Sequence, residues 1–147
     1  MPASWWLGCH GGAGTSTLAA ALPSGADAGR YWPVLDPPAV TRVVLVARTH
    51  AYGLRAAQMA ARQWASGMLP GHVQLLGMVV IADAPGRLPK PLRELLRLIS
   101  GGVPRTWELP WVEALRLGDP PGQIQLPAPF EELAHSLHQI VSGGNDA

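Results

Sequence analysis

The feature that most constrains this chain is an order that repeats: a short apolar run, then an amphipathic stretch, then the same again. "RVVLVART", residues 42–49, is β-branched and apolar at successive positions, as a strand covered on both faces must be. It leads into "HAYGLRAAQMAARQWASG", where Leu54, Ala57, Ala61, Trp64 and Met68 recur at helical spacing and Gly67 stands near the stop. "VQLLGMVVIADA", residues 73–84, is again strand-like. "KPLRELLRLISGG" then sets Leu92, Leu95, Leu96 and Ile99 on one stripe, with Pro91 at the start and Gly101 at the stop. "VPRTWELP" supplies one more short strand, and "WVEALRLG", residues 111–118, a brief helix. Strands that alternate with helices imply crossovers of one hand and a parallel sheet with helices on both faces. The expected fold is therefore α/β, a small three-layer sandwich of about four parallel strands.

Two regions depart from that rhythm. "PSGADAGRYWPVLDPP", Pro23 to Pro38, carries too many Pro and Gly for a helix or a central strand. After Gly118 a Pro-rich stretch leads to "FEELAHSLHQIV", where Phe130, Leu133, Leu137 and Ile140 form a helical stripe, and "SGGNDA" is expected to fray. A chain of 147 residues has room for one domain with a real core and hardly for two. The expected organisation is an α/β domain over 1–120, a linker over 121–129, and a helix over 130–142 that packs on the domain or on a partner.

A third region raises the question of function. "WWLGCHGGAGTSTLAAAL", Trp5 to Leu22, reads as a short strand, a glycine-rich turn and the start of a helix. A turn in that position leaves backbone N–H groups near one point, which suits a phosphate, and Gly11, Gly12 and Gly14 permit the curvature and the close approach. The strict nucleotide-loop pattern nevertheless fails. With Gly14 as its second glycine, Cys9 replaces the first and Thr15 replaces the lysine. Read from the residues alone, the stretch fits a phosphate loop and equally a tight β-to-α turn capped by Thr15 or Ser16.

Composition removes several other classes. Eleven Lys and Arg against ten Asp and Glu give a formal charge of +1, too little to hold a nucleic acid backbone or an anionic membrane unaided. No apolar run approaches the roughly 18 to 20 residues of a membrane span. The single Cys9 cannot form an internal disulfide, and no basic stretch, apolar core and cleavage site opens the sequence, so the cytoplasm is the expected compartment.

"CHGGAGTST" resembles the deviant Walker A motif of the ParA/MinD group of P-loop ATPases, K-G-G-x-G-K-(S/T)-T. Gly11, Gly12, Gly14 and Thr17 match it, and Ser16 is an allowed variant. His10 stands in place of the family's signature lysine and Thr15 in place of its phosphate-binding lysine. "GMVVIADAPGR" resembles the family's strand that ends near the adenine, and "ELPWVEALRLGDP" a later segment, so the likeness covers residues 4–22 and about 42–120. The chain also resembles a family of short uncharacterised bacterial proteins that share the H-G-G-A-G and A-D-A-P-G-R-L-P segments.

The first resemblance implies a truncated P-loop NTPase-like domain with phosphate contacts from His10, Gly11, Gly12, Ala13, Gly14, Thr15, Ser16 and Thr17. It implies ATP or ADP with Mg²⁺ as ligand, the Ser16 hydroxyl meeting the metal once nucleotide is bound. The family's long section with switch aspartates and a Walker B strand is reduced to about twenty residues. There "WPVLD" offers Asp36 behind an interrupting Pro33, and Asp83 is the other candidate for a base or metal contact.

Without the lysine, charge spreading over the phosphoryl oxygens has no positioned counterion. Arg48, Arg55, Arg87 and Arg105 are available, but the sequence places none of them. The expectation is an interaction or regulatory module that keeps a phosphate or nucleotide site without efficient hydrolysis and binds a protein partner or itself. The competing expectation is an ATPase switch in partition, positioning or transfer of genetic elements.

Other residues invite plainer readings. Cys9 reads as strand-end packing, His135 and His138 as a solvated helix face, and Trp5, Trp32, Trp107 and Trp111 as candidate interface anchors.

Overall fold

The structure, a computed structural model, describes residues 2–35 and 39–145. Five strands form one parallel sheet: β1 (Ser4–Gly8), β2 (Gly25–Asp27), β3 (Thr41–Arg48), β4 (Val73–Ile81) and β5 (Thr106–Leu109), in the order β2-β1-β3-β4-β5. The helices are α1 (Thr15–Ala21), α2 (Ala51–Ala65), α3 (Lys90–Ser100), α4 (Glu113–Arg116) and α5 (Ala128–Asn145), with one 3₁₀ turn at Pro121–Gln123.

The path from β1 to β2 runs one way across the sheet, and the path from β3 through β4 to β5 runs the other. Crossovers of one hand then put their helices on opposite faces. Leu54, Ala57 and Ala61 of α2 pack with Leu96 and Ile99 of α3 against Leu45, Met78 and Val80 on one face. On the other, Leu18 of α1 and Phe130, Leu133 and Leu137 of α5 pack against Trp6, Val44 and Val79. The result is the three-layer sandwich that the strand and helix order requires.

Three details differ from the sequence expectation. The fifth strand, β2, lies within the Pro/Gly-rich stretch; it is three residues long and sits at the sheet edge, where missing side chains and broken pairing cost least. Gly25 is needed there, because a Cβ on it would stand 2.4 Å from Nε1 of the buried Trp6. Met68 is 85% exposed beyond the end of α2 and does not continue that helix's buried stripe. Helix α5 begins at Ala128 and runs on through Ser142 and Gly143 to Asn145, so most of the expected frayed segment is helical.

Among the described residues no helix is long and apolar enough to cross a membrane.

Candidate functional site

Between β1 and β3 the strand order reverses, and in open parallel sheets the crevice beyond the strand ends at such a point is where ligands bind. The β1–α1 loop, Cys9 to Gly14, occupies that crevice. Its entry is fixed by two backbone bonds: Gly8 N–H donates to Gly29 O at 2.7 Å, and Cys9 N–H to Val46 O at 3.0 Å. Gly12 and Gly14 have φ of 77° and 109°, in the left-handed region that side chains resist. At Gly14 space is also short: a Cβ would stand 2.8 Å from Ile81 Cδ1.

Helix α1 starts at Thr15, with Gly14 as its N-cap residue and no side chain closing the end, so neither Thr15 nor Ser16 acts as the cap. The N–H groups of Gly11 to Thr17 find no acceptor among the described residues. Gly11, Gly12, Ala13, Gly14, Thr15 and Ser16 line one cavity of about 160 Å³ together with Arg30. Ala13 turns its methyl into the core, leaving only its backbone to the cavity. Thr17 lines a neighbouring pocket instead.

His10 has a different role from the phosphate contact expected of it. The ring is buried, its Nδ1–H donates to Gly11 O at 2.9 Å, and its Nε2 accepts the backbone N–H of Arg48 at 3.0 Å. Both nitrogens are used, one as donor and one as acceptor, which requires the neutral ring. Burial pushes its pKa below the usual histidine value; the bond to Gly11 O opposes this, and the charges of His50, Arg30 and Arg48 add to it. His10 therefore braces the loop against β3 and has no nitrogen left for a ligand. Room for the ring comes from α2, since a Cβ on Gly53 would lie 2.8 Å from His10 Nε2 and 2.5 Å from Arg48 O.

Two arginines stand beside the loop, where position 15 is a threonine. Arg48, at the end of β3, reaches across the loop, its Nε 3.3 Å from Gly12 O and its Nη1 3.5 Å from Ala82 O. Burial lowers its pKa and the carboxylate of Asp83 opposes that shift, yet a guanidinium keeps its proton near neutral pH. Arg30, exposed on the far side, has Nη1 3.8 Å from where a Cβ on Gly11 would stand. Among the described residues no carboxylate lines the loop cavity. Sequence reasoning offered Arg48 as one of four unplaced arginines and missed Arg30; the pairing of β3 with β1 is what brings Arg48 to the loop.

The other candidates fall outside this cavity. Asp83 lies past the end of β4, its N–H held by Thr49 Oγ1 at 3.2 Å, and it lines two pockets, one shared with Arg48 and Trp111 and the other with His50 and Leu92. Asp36 lies outside the described residues. Burial pushes the Cys9 thiol up to about 12, against the weaker opposing effects of the Val46 backbone and Arg30, so the nucleophilic thiolate is suppressed. His135 and His138 are exposed on α5. Among the suggested interface tryptophans, Trp107 packs inward and donates to Ser136 Oγ at 3.2 Å. Trp32 donates to Gln63 Oε1 at 3.0 Å, and Trp111 to Glu113 Oε2 at 2.7 Å.

A parallel sheet wound in both directions, with a glycine-rich loop and two arginines at its switch point, defines a small doubly wound α/β domain with a loop-built cavity. The chain belongs to the Family of unknown function (DUF6668), whose model matches residues 3–126. That match covers the whole sheet and ends just before α5. Comparison with the curated proteins and with the solved structures finds no match.

Proposed function

We propose that this protein is a degenerate P-loop module of the ParA/MinD type, which holds a phosphate group at its glycine loop without efficient hydrolysis and serves an interaction or regulatory role in the cytoplasm. The observation that carries the reading is the set of loop amides, Gly11 to Ser16, that find no acceptor among the described residues and line with Arg30 a cavity holding no described carboxylate, while Arg48 is held against the loop at Gly12 O. A guanidinium offers forked donors that match phosphate oxygens. The bonds Arg48 makes at 3.3 and 3.5 Å are long, so turning it toward an anion sacrifices little.

ATP or ADP fits this chemistry, and Mg²⁺ would arrive with the nucleotide and meet the Ser16 hydroxyl, which lines the cavity and is exposed. The bound metal would supply charge neutralisation between phosphates; the chain itself supplies amides, the two guanidinium groups and the bracing of His10. Hydrolysis is disfavoured because the residue in place of the lysine that tracks the transferring group is Thr15 here. The biological output would then be a complex with a protein partner or with a second copy.

Calorimetric titration with ATP, ADP, GTP and GDP, with and without Mg²⁺, tests the reading alongside an ATP turnover assay. Saturable binding with turnover at background supports it. Turnover well above background would restore the ATPase switch, and no binding by any of the four would remove the nucleotide.

A further inference from the structure

The loop cavity has a neighbour on the α2 side of the sheet. Gly8 and Arg30 line the loop cavity, and the same two residues line that neighbour, a larger open groove of about 630 Å³. Three aromatic side chains stand in its lining: Tyr31 is 83% and Tyr52 68% exposed, with the half-buried Trp32 between the turn and α2. Its charges are Arg30 and Arg55, both exposed, with no carboxylate in the lining and no ion pair to either among the described residues. Exposed aromatic faces beside unpaired guanidinium groups leave apolar surface and positive charge in water together, which is the complement of a flat aromatic ligand carrying negative charge.

On the other side of the loop the arrangement differs. The pocket lined by Thr17, Asp83 and Trp111 shares no residue with the loop cavity, and Arg48, bonded to Gly12 O and Ala82 O, lies between them. A ligand anchored at the loop that extends past Arg30 meets Tyr31 and Tyr52, on the opposite side from Asp83, where the ParA/MinD resemblance puts the base.

We infer that the groove of Arg30, Tyr31, Trp32, Tyr52 and Arg55 is the base subsite of a nucleotide-like ligand, an aromatic ring system bearing phosphate whose anionic end lies in the loop cavity. This rests on the loop being a phosphate site and adds where the ring goes. The ring stacks on the tyrosines, Arg30 spans the join between ring and phosphate, and Arg55 meets charge or acceptor atoms at the outer end. The formal charge of +1 for the whole chain favours a free nucleotide over a strand of nucleic acid, whose many phosphates need a longer basic track.

The test compares ADP, inorganic pyrophosphate and a short single-stranded oligoadenylate by calorimetry on the full chain. The variants are Tyr31→Ala/Tyr52→Ala, Arg55→Gln and Trp111→Ala, with the melting curve of each confirming the fold; Tyr52 also stands edge-on to His10, ring centroids 5.9 Å apart, and the pyrophosphate affinity is the control for that contact. The expected result is that ADP binds more tightly than pyrophosphate. The double tyrosine variant then loses roughly tenfold or more of its ADP affinity while keeping its pyrophosphate affinity, Arg55→Gln weakens ADP severalfold, and Trp111→Ala leaves it unchanged. ADP affinity lost in Trp111→Ala and kept in the tyrosine variant would overturn the base subsite and leave the phosphate loop standing. Equal affinity for ADP and pyrophosphate in every variant would also overturn it. Tighter binding of the oligoadenylate than of ADP would overturn it in favour of a nucleic acid. No binding of pyrophosphate or ADP would overturn the phosphate loop and the base subsite together.

Discussion

Nε2 of His10 accepts the backbone N–H of Arg48 at 3.0 Å, which ties the glycine loop after β1 to the end of β3 across the point where the strand order reverses. The opposite nitrogen donates to Gly11 O at 2.9 Å, so one neutral ring fixes both the loop and the residue whose guanidinium covers it.

Burial of that ring makes stability pH-dependent in one direction. The folded pKa of His10 is depressed, so below the unfolded value of about 6.5 the unfolded chain binds a proton that the folded chain refuses. The contribution is present above about pH 6.5 and is lost as pH falls from there toward the folded pKa. Denaturant unfolding at a series of pH values should show wild type losing stability on acidification more steeply than His10→Gln. Parallel pH profiles for the two proteins would mean that His10 titrates alike in both states.

Gly53, in the first turn of α2, should reject alanine although it lies in a helix. Alanine normally gains up to about 1 kcal/mol over glycine there, but its Cβ would stand 2.5 Å from Arg48 O and 2.8 Å from His10 Nε2. Gly53→Ala should therefore destabilise by about 1–3 kcal/mol, read as a lower denaturation midpoint.

Helix α5 lies beyond the family match yet forms core. Leu133 is fully buried against the α1 face, so Leu133→Ala should cost about 2–5 kcal/mol. His135→Ala, two positions on and exposed, should stay within about 0.5 kcal/mol, and thermal melts of the pair measure the contrast.

The sequence made the sheet legible because its central strands announce themselves. Val43 to Ala47 and Leu75 to Ile81 are apolar without alternation, as strands buried on both faces must be. β2 was not legible, since three residues at an edge carry no period and Gly25 and Pro23 are the composition of a turn. The glycine loop was legible from Gly11, Gly12 and Gly14. Its charges were not, because Arg30 and Arg48 reach it through strand neighbours and through a turn distant in sequence. His10 looked like a ligand because nothing in the sequence claims its nitrogens; Gly11 O in its own loop takes one and the Arg48 N–H at the end of β3 takes the other.

Thr15→Lys restores the residue that the ParA/MinD resemblance lacks. Thr15 lines the loop cavity, so an ammonium there can reach a bound phosphate in a charge-assisted contact of about 1.5–3 kcal/mol. ADP affinity should rise roughly tenfold or more with little change in melting temperature. A stable Thr15→Lys protein that binds ADP no better than wild type would mean that the cavity is not aligned on phosphate.

The central claim is that Arg30 and Arg48 take the lysine's place at the loop, and titration with inorganic pyrophosphate tests it most directly. Wild type should bind at a single site that weakens as salt rises, and Arg30→Gln/Arg48→Gln should lose roughly tenfold or more of that affinity while remaining folded. Absence of binding to wild type, or undiminished binding to the double variant, would contradict the account.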